Sequence, residues 1–533
     1  MGRKVIIIGQ HPITDDLIRQ YEGQGCSVKL SPMLSAAGVC MNDSDEACVL
    51  TASAGEKSVE TPGGKMEADN HALAVLSELA KGYVVSEHNG KRLLCHLLLQ
   101  SQTTLWLLQA MDLYEDINAT VELCPFTMAD QWAKNVFCNL PGNVQKYPSL
   151  DWQQISAASN KKVHLVIVGF SEMSESLAMH AALIAHFPNY VRDHSLRSRI
   201  TIIDPNISRR RNAFIQRYHN LFDNSYYRYI ELGSKEQTFF HKPMYSESRE
   251  DFVDVEWEFV QGDIHDSVMQ EKLRLWTDDA GQLLTIALCT DDCDRNQDEA
   301  FVLPAAVYRK QIPILVFVHQ EGLLALVIQK DGYRNIYPFG MENCGYDIDI
   351  PLWQMAKRLH YFYLCSYGQQ GVPTNLPQDE MEAAWSQVSA FSMRYSNINS
   401  VMTIATKMRS LGHDSSDWEK FYALTQEEVE LLSAVEHNRW SVERLVMGFR
   451  PPRDDERQQI RDNIRDFLAA KRDGSEMPKE YLKDVFKRKK IHYDLCAYRE
   501  LGEDKTGQNV KVYDYDLTAS IPLIANSFKE QES

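Results

Sequence analysis

One pattern constrains this chain more than any other, and it occurs twice. Lys4-Val5-Ile6-Ile7-Ile8-Gly9 is an apolar run ending in glycine, and Val163-His164-Leu165-Val166-Ile167-Val168-Gly169 repeats it. A short, nearly unbroken apolar run bounded by glycine reads as a strand buried on both faces, as parallel sheets require. Each run is followed by a helical stretch and a second strand. In the first half these are Asp15–Tyr21 and Ser27–Leu30; in the second they are Ser174–Phe187 and Arg199–Asp204. Both are βαβ openings. Ala47–Thr51 extends the first series as a strand, and Leu93–Leu99 and Ala119–Leu123 as strands or buried segments. Val255–Val260, Leu283–Thr290 and Ile312–Val318 extend the second, with a helix at Pro304–Arg309. Strands alternating with helices predict an α/β fold with doubly wound parallel sheets.

The length of 533 residues accommodates three or four domains at ~150 residues each. The two halves also echo each other. Thr51 ends a strand before a helix opens at Asp69-Asn70, and Thr290 ends one with Asn296 near the next helix start. Two tandem Rossmann-like units are therefore expected, at 1–150 and 160–335, joined by a linker within Pro141–Asn160. From Pro351 the strand signal fades. Leu352–Leu364 and Gln378–Met408 are helical patterns around a Gly/Pro-rich break, giving a helical linker over 336–415. A final helical module occupies 416–533. Its first long helix, running to about Phe449, opens on the capping box Thr425-Gln426-Glu427-Glu428.

Composition excludes several functions. With 44% apolar and 24% charged residues, the chain is an ordinary globular one. A net charge of −18 argues against nucleic acid or an anionic membrane as partner. That charge is uneven: residues 246–300 alone carry 16 acidic and 4 basic side chains, whereas 205–242 carries 7 basic and 3 acidic ones. No run reaches ~18 uninterrupted apolar residues, so no membrane span is expected. Met1–Gly9 lacks the features of a signal peptide. The eleven cysteines include no CxxC pair, which fits reduced thiols and a cytoplasmic location. Cys289 and Cys293 are close together, but no second Cys/His pair accompanies them, so no metal is expected there.

The strand–glycine–helix units carry the chemistry. A helix start presents unpaired N–H groups and a positive dipole end, where phosphate binds. Gly169-Phe170-Ser171-Glu172-Met173-Ser174 has the spacing of G-x-G-x-x-G with serines at the second and third glycine positions. Asp204 ends the next strand, where an acid accepts from ribose hydroxyls. It lies 35 positions after Gly169, beyond the usual ~20. Arg209-Arg210-Arg211 follows, placed either to meet an additional phosphate or to form a solvated helix face. The first unit keeps only Gly9, has no acid ending its second strand, and has His11 as a turn residue. Asp291, Asp292 and Asp294 cluster with Thr290 at a strand's C-terminal end, either as oxygen ligands for a divalent cation, though without the D-x-D-x-D-G calcium-loop spacing, or as a negatively charged loop, the reading the spacing favours. No G-x-S-x-G, HExxH or Walker A motif is present. Gly55-Glu56-Lys57-Ser58 lacks the upstream glycine of a P-loop.

In the C-terminal module, His437, Trp440 and Arg444 are spaced three and four apart and so share one helix face. Such a face either clamps a planar or anionic ligand or fixes helix packing. Glu436-His437-x-x-Trp440, Arg444, Gly448, Arg453, His492-x-Asp494, Tyr515-Asp516 and Ile521-Pro522 resemble the RyR domain. That module is repeated in ryanodine-receptor channels and occurs singly in prokaryotic proteins. The resemblance covers roughly 417–527. It departs from the family in the charged stretch Arg461–Lys490 and in Phe449-Arg450, where a tryptophan is usual. It implies an all-α module whose ligand or protein partner would meet Glu436, His437, Trp440, Arg444, Arg450, Arg453, His492, Asp494, Tyr515 and Asp516.

Lys162–Val318 is similar to TrkA-type (RCK) nucleotide-binding domains. The similarity is carried by Gly169-x-Ser171-x-x-Ser174, Asp204, Gly262-Asp263, Thr290-Asp291-Asp292 and Asn296. In that family NAD or another adenine nucleotide sits at such positions and regulates potassium transport. Together the resemblances imply a soluble nucleotide-sensing regulatory protein that self-associates, as a dimer. Two alternatives stay open. One is an NAD(P)-dependent oxidoreductase or nucleotide-cleaving effector, drawing an acid or base from His164, His180 or the Asp291–Asp294 loop. The other is an interaction scaffold with empty Rossmann-like domains.

Overall fold

The computed structural model describes residues 3–31, 44–50, 64–88, 90–111, 115–138, 146–232, 237–243, 250–348, 351–367, 373, 375–388, 390–413 and 423–526. The Gly55–Ser58 stretch, Gly368, Gly371 and part of the linker region around Pro141-Gly142 lie outside them.

Two parallel sheets organise the α/β part. The first contains β1 (Lys4–Ile8), β2 (Ser27–Ser31), β3 (Glu46–Leu50), β4 (Leu93–Leu98) and β5 (Val121–Phe126), in the order β2-β1-β3-β4-β5. All the pairings are parallel. This is a doubly wound order whose direction reverses between β1 and β3.

The second sheet contains β6 (Lys162–Val168), β7 (Ser198–Asp204), β8 (Tyr226–Glu231), β9 (Gln237–His241), β10 (Val255–Gln261), β11 (Gln282–Leu288), β12 (Ile314–Phe317) and β13 (Ile336–Phe339). Its order is β13-β12-β11-β6-β7-β10-β8-β9. Leaving β8 and β9 aside, the strands read 3-2-1-4-5-6 from β10 to β13, the dinucleotide-fold order, with the switch between β6 and β11. β8 adds in parallel to β10, and β9 closes the edge as an antiparallel hairpin. β13 takes the sheet past the expected boundary at 335, so the segment from 336 begins as a strand rather than as helix.

The two units are not separate bodies. One buried apolar cluster includes Ile6 and Leu97 of the first sheet, Leu165 and Phe259 of the second, and Tyr395 and Leu445 of the helical part. After β13 the chain returns to the first sheet. Tyr346 stacks on Phe126 at 3.7 Å between ring centroids, and its hydroxyl meets His96 Nδ1 at 2.5 Å. Gln20 Nε2 donates to Tyr346 O, and Ile348 N donates to Gln20 Oε1. Tyr346 and Ile348 thereby join the core of Val5, Ile7 and Leu17. Behind them, Glu46 accepts from Tyr21 and His96 without exposure to solvent.

The helical region begins with helix Pro351–Tyr367. The continuous pattern expected over Gln378–Met408 is instead three helices, Gln378–Ser386, Phe391–Met402 and Ile404–Ser410. The first break has a clear cause. The Val388 carbonyl accepts from the buried Arg394 guanidinium and from Asn118 Nδ2, so no helical N–H reaches it. Helix Gln426–Val446 starts at the expected capping box, Thr425 with Glu428. Helix Asp454–Asp473 and the short helix Leu482–Arg488 occupy the charged stretch at 461–490.

Arg409 fastens this region to the segment between the sheets. Its guanidinium donates to both oxygens of Asp151 at 2.9 and 2.6 Å, and both side chains are buried. Arg409→Ala leaves that carboxylate buried and uncompensated, which costs about 3–5 kcal/mol. Chemical denaturation is expected to show the midpoint falling accordingly, whereas Arg19→Ala on the surface leaves it nearly unchanged.

Candidate functional site

The C-terminal edge of the second sheet, at the β6/β11 switch, is the first candidate. β6 ends at Gly169, which has a φ of +89°. A Cβ there would stand 2.7 Å from the Thr290 backbone, so only glycine fits. The chain then turns through Phe170 into helix Glu172–Ile184. This helix starts two residues earlier than the sequence pattern suggests, because Ser171 and Ser174 cap it reciprocally. Each side chain accepts from the other's backbone N–H, at 3.1 and 3.2 Å. Ser174 Oγ also lies 2.8 Å from Gly169 O and 2.9 Å from Cys289 O. The two serines thus replace motif glycines by binding β6, β11 and the helix together, and both are buried. Phe170 packs edge-on against Phe214. The helix ends before Pro188, which opens a separate turn.

Asp204 ends β7 beside this loop. Its Oδ2 accepts from Phe170 N at 3.0 Å and its Oδ1 from Asn206 N at 2.7 Å. A carboxylate has about four acceptor positions, so two remain for a ligand's hydroxyls. Arg210 spans the crevice, donating to Phe170 O at 2.6 Å and to Asp291 at 3.0 Å. Arg211 instead lies over the Tyr229 ring at 3.9 Å, and Arg209 points to solvent. Thr290 is held by Asn296, whose Oδ1 accepts from the Thr290 backbone and hydroxyl while Nδ2 donates to Phe317 O. Gly262 meets Leu232, and Asp263 pairs with Arg295 at 3.3 Å, one strand further from the switch. Glu172 is tied to Lys65 of the first unit at 2.7 Å. Gly169, Phe170, Ser171, Ser174, Asp204, Thr290 and Asp291 therefore converge, whereas Gly262 and Asp263 flank them. Gly9 occupies the equivalent place after β1, with a φ of +94°, and no acid stands at the end of β2.

A cavity of about 70 Å³ forms the second candidate. It lies where the first unit, the second unit and the helical region meet, lined by Trp106, Asp130, Lys134, Ser176, His180 and Tyr395 among others. Asp130 accepts from Lys134 Nζ at 2.6 Å and from His180 Nε2 at 2.8 Å. Burial opposes its ionisation, but these neighbours hold its pKa well below the usual carboxylate range. His180 Nδ1 and Ser176 Oγ are buried without a hydrogen-bond partner among the described residues. This space is large enough for water or a small polar ligand. His164 is different: it is buried in mid-strand between Thr201 and Gln282, remote from the sheet edge.

The C-terminal module groups some of its expected residues and separates others. Glu436 is fully buried and paired with Lys407 and Arg439, which hold its pKa at about 2 against the opposing effect of burial. Arg439 continues to Glu443, and Glu443 to Arg444. His437, Trp440 and His492 form a ring row, with centroid distances of 5.5 and 4.8 Å. The Arg444 guanidinium lies 5.7 Å from the Trp440 ring and donates to Ser396. Asp494 pairs with Lys483 beside His492. Arg450 forms a two-bond fork with Glu456, and Arg453 starts the helix that contains it. Tyr515 and Asp516 are half-buried on helix Lys511–Ala519. The residue of that helix that reaches His437 is Asp514, at 3.1 Å. Asp514 lies on the buried face of that helix, two positions before Asp516.

No protein-family model and no curated protein matches this chain. Among solved structures it is similar to a D-lactate dehydrogenase with NAD+ from Lactobacillus jensenii, with a TM-score of 0.17 and 8% identity. That alignment covers 77% of this chain and 98% of the other. Among the described residues, no helix is long and apolar enough to cross a membrane.

Two outcomes follow from the geometry. Gly169→Ala meets both the Thr290 backbone and an unfavourable φ, and is expected to cost about 1–3 kcal/mol in urea unfolding. For His437, burial opposes protonation, but Asp514 outweighs it and raises the pKa to about 10. The protonated histidine thus contributes its full stability below its unfolded value near 6.5. That contribution is lost as pH rises toward 10. The loss amounts to at most about 5 kcal/mol. Unfolding measured across this range is expected to show the decline in the parent protein and a flatter profile in His437→Gln.

Proposed function

We propose that this chain is a nucleotide-responsive regulatory protein. NAD or another adenine nucleotide binds at the C-terminal edge of β6, and the helical module, read as an RyR-type domain, responds to it. The observation that carries this reading is the meeting of three features at the switch point: the 3-2-1-4-5-6 order, Gly169 closed against Thr290, and Asp204 ending the adjacent strand. Ligands of open α/β sheets bind in that crevice. The free acceptor positions of Asp204 suit ribose hydroxyls, and Arg210, donating to Asp291 across the crevice mouth, suits a phosphate.

The response is supported by packing. Helix Glu172–Ile184, which begins at the crevice, packs directly on helix Gln426–Val446. The face of His437, Trp440 and Arg444 belongs to that second helix and is the proposed surface for a second ligand or partner.

Isothermal titration against NAD, NADH, ATP, ADP-ribose and cyclic nucleotides tests the reading. Saturable binding to one of them is expected, weakened at least about tenfold by Asp204→Ala through loss of the ribose acceptor. A folded sample that binds none of the panel overturns it.

A further inference from the structure

The cavity of about 70 Å³ at the junction of the three parts takes no share in the nucleotide crevice, and its polar groups are one-sided. Trp106 and Asp130 line it from the first unit, Ser176 and His180 from the second, and Tyr395 and Glu443 from the helical region. Three of these residues carry a buried polar atom without a hydrogen-bond partner among the described residues: His180 Nδ1, Ser176 Oγ and Glu443 Oε1. The three side chains belong to residues only 5%, 6% and 1% exposed. Buried polar atoms are ordinarily paired, so three unpaired ones around a single space mark a place that a ligand completes. Ser176 and His180 lie four positions apart on one helix face.

The neighbours of these atoms fix what is missing. Asp130 is ionised and accepts, so His180 Nε2 carries the proton donated to it at 2.8 Å. In the neutral ring Nδ1 is then a bare acceptor. The Glu443 carboxylate also only accepts: Oε2 takes a bond from Arg439, while Oε1 lies 3.1 Å from an Arg444 nitrogen without forming one. The Ser176 hydroxyl has two acceptor positions of its own. The unmet need is therefore for a hydrogen-bond donor. We propose that this cavity binds a small ammonium cation, either the free ion or the end of a primary amine, whose N–H groups satisfy His180 and Ser176 with Glu443 as counter-charge.

The walls suit a cation. Trp106 is held by its Nε1, which donates to Val446 O at 3.0 Å, and stands edge-on to Tyr218. Tyr395 donates to Pro125 O at 3.1 Å and already has Lys134 Nζ over its ring at 5.9 Å. Aromatic faces of this kind attract positive charge. Among the lining residues Asp130, Glu175 and Glu443 are set against Lys134 alone, and Lys134 is neutralised by Asp130. Glu175 and Glu443 pair with Arg217 and Arg439, which are not part of the lining. Burial nevertheless raises the Glu175 pKa in spite of Arg217, so a further positive charge beside it is favourable. Among the described residues no group of three His, Cys, Asp or Glu side chains could hold a metal ion, which leaves hydrogen bonding as the means of recognition. A water molecule takes about 30 Å³ of liquid, so the space admits an ammonium group with a short carbon stem and little more.

Isothermal titration of the full chain, in sodium buffer at pH 7 and constant ionic strength, tests the site with the chlorides of ammonium, methylammonium and 1,4-diaminobutane. Saturable binding of at least one is expected, with a rise in melting temperature because the ligand binds only the folded junction. Potassium matches ammonium in charge and approximate size but donates no hydrogen bond, and tetramethylammonium is bulkier and has no N–H; neither is expected to bind. Ser176→Ala is expected to weaken binding about tenfold, by loss of one hydrogen bond to a charged group, with an unchanged circular dichroism spectrum. Ser176→Met, which fills the space, is expected to abolish it. Tighter binding of ammonium assigns the free ion, and tighter binding of the diamine assigns the end of a polyamine. An equal response to potassium, an affinity unchanged in Ser176→Ala, or no saturable heat from a folded sample overturns the proposal. None of the titrants carries an adenine ring or a phosphate, so the outcome stands or falls apart from the nucleotide titration above.

Discussion

Helix Glu172–Ile184 is the constraint on which the remainder of the structure depends. Ten of its thirteen residues are buried. A helix buried on nearly every side has no solvent face and must be enclosed by several partners at once. Its own sheet covers one side. Helix Met128–Phe137 of the first unit covers another, and helices Phe391–Met402 and Gln426–Val446 complete the enclosure. The polar residues within it are therefore specific: Ser171 and Ser174 close its start, and His180 finds Asp130 across the interface. A perturbation at its first turn is therefore one helix away from both the first unit and the helical region.

Charge follows the same logic. The acids on and beside β10 do not face solvent, unlike the exposed acids later in the same segment, such as Asp279 and Asp292. Glu256 pairs with Lys162 and Arg199 from β6 and β7, and Glu258 lies near Arg228 of β8. Asp254 meets His186 between two fully buried side chains. Basic residues on neighbouring strands thus neutralise the two glutamates of β10 across the sheet. The negative balance that remains is carried mainly by helix surfaces and loops.

The parts of this fold that were legible in sequence are those fixed by local pattern. β1 and β6 are apolar runs ending at a glycine with positive φ, and the Thr425–Glu428 cap is a four-residue signal. What was missed depends on distant partners. β8 is mostly half-exposed tyrosines with Arg228 and Glu231 among them, and β13 is four residues long and contains Pro338, so neither stands out as a buried strand. The early start of helix Glu172–Ile184 was hidden because a Ser/Ser reciprocal cap reads as loop. The break at Val388 needs Asn118, which lies 270 positions away. At the sites, Gly169 and Asp204 were read from their places at the ends of two strands, Asp204 in spite of its spacing. Asp130 with His180 and His437 with Asp514 are pairs that only tertiary contact makes.

The return of the chain through Tyr346 and Ile348 bears on how the molecule is made. These two residues complete the core of the first sheet, yet Tyr346 lies 250 positions beyond the His96 it contacts. Domains of a growing chain ordinarily fold as they emerge, N-terminal first. Here the first sheet stays uncapped throughout synthesis of the second, with Phe126 and Leu17 lacking their covering residues. The core of the first sheet is therefore complete only once the chain has been translated past Ile348, after the strands of the second sheet have been made.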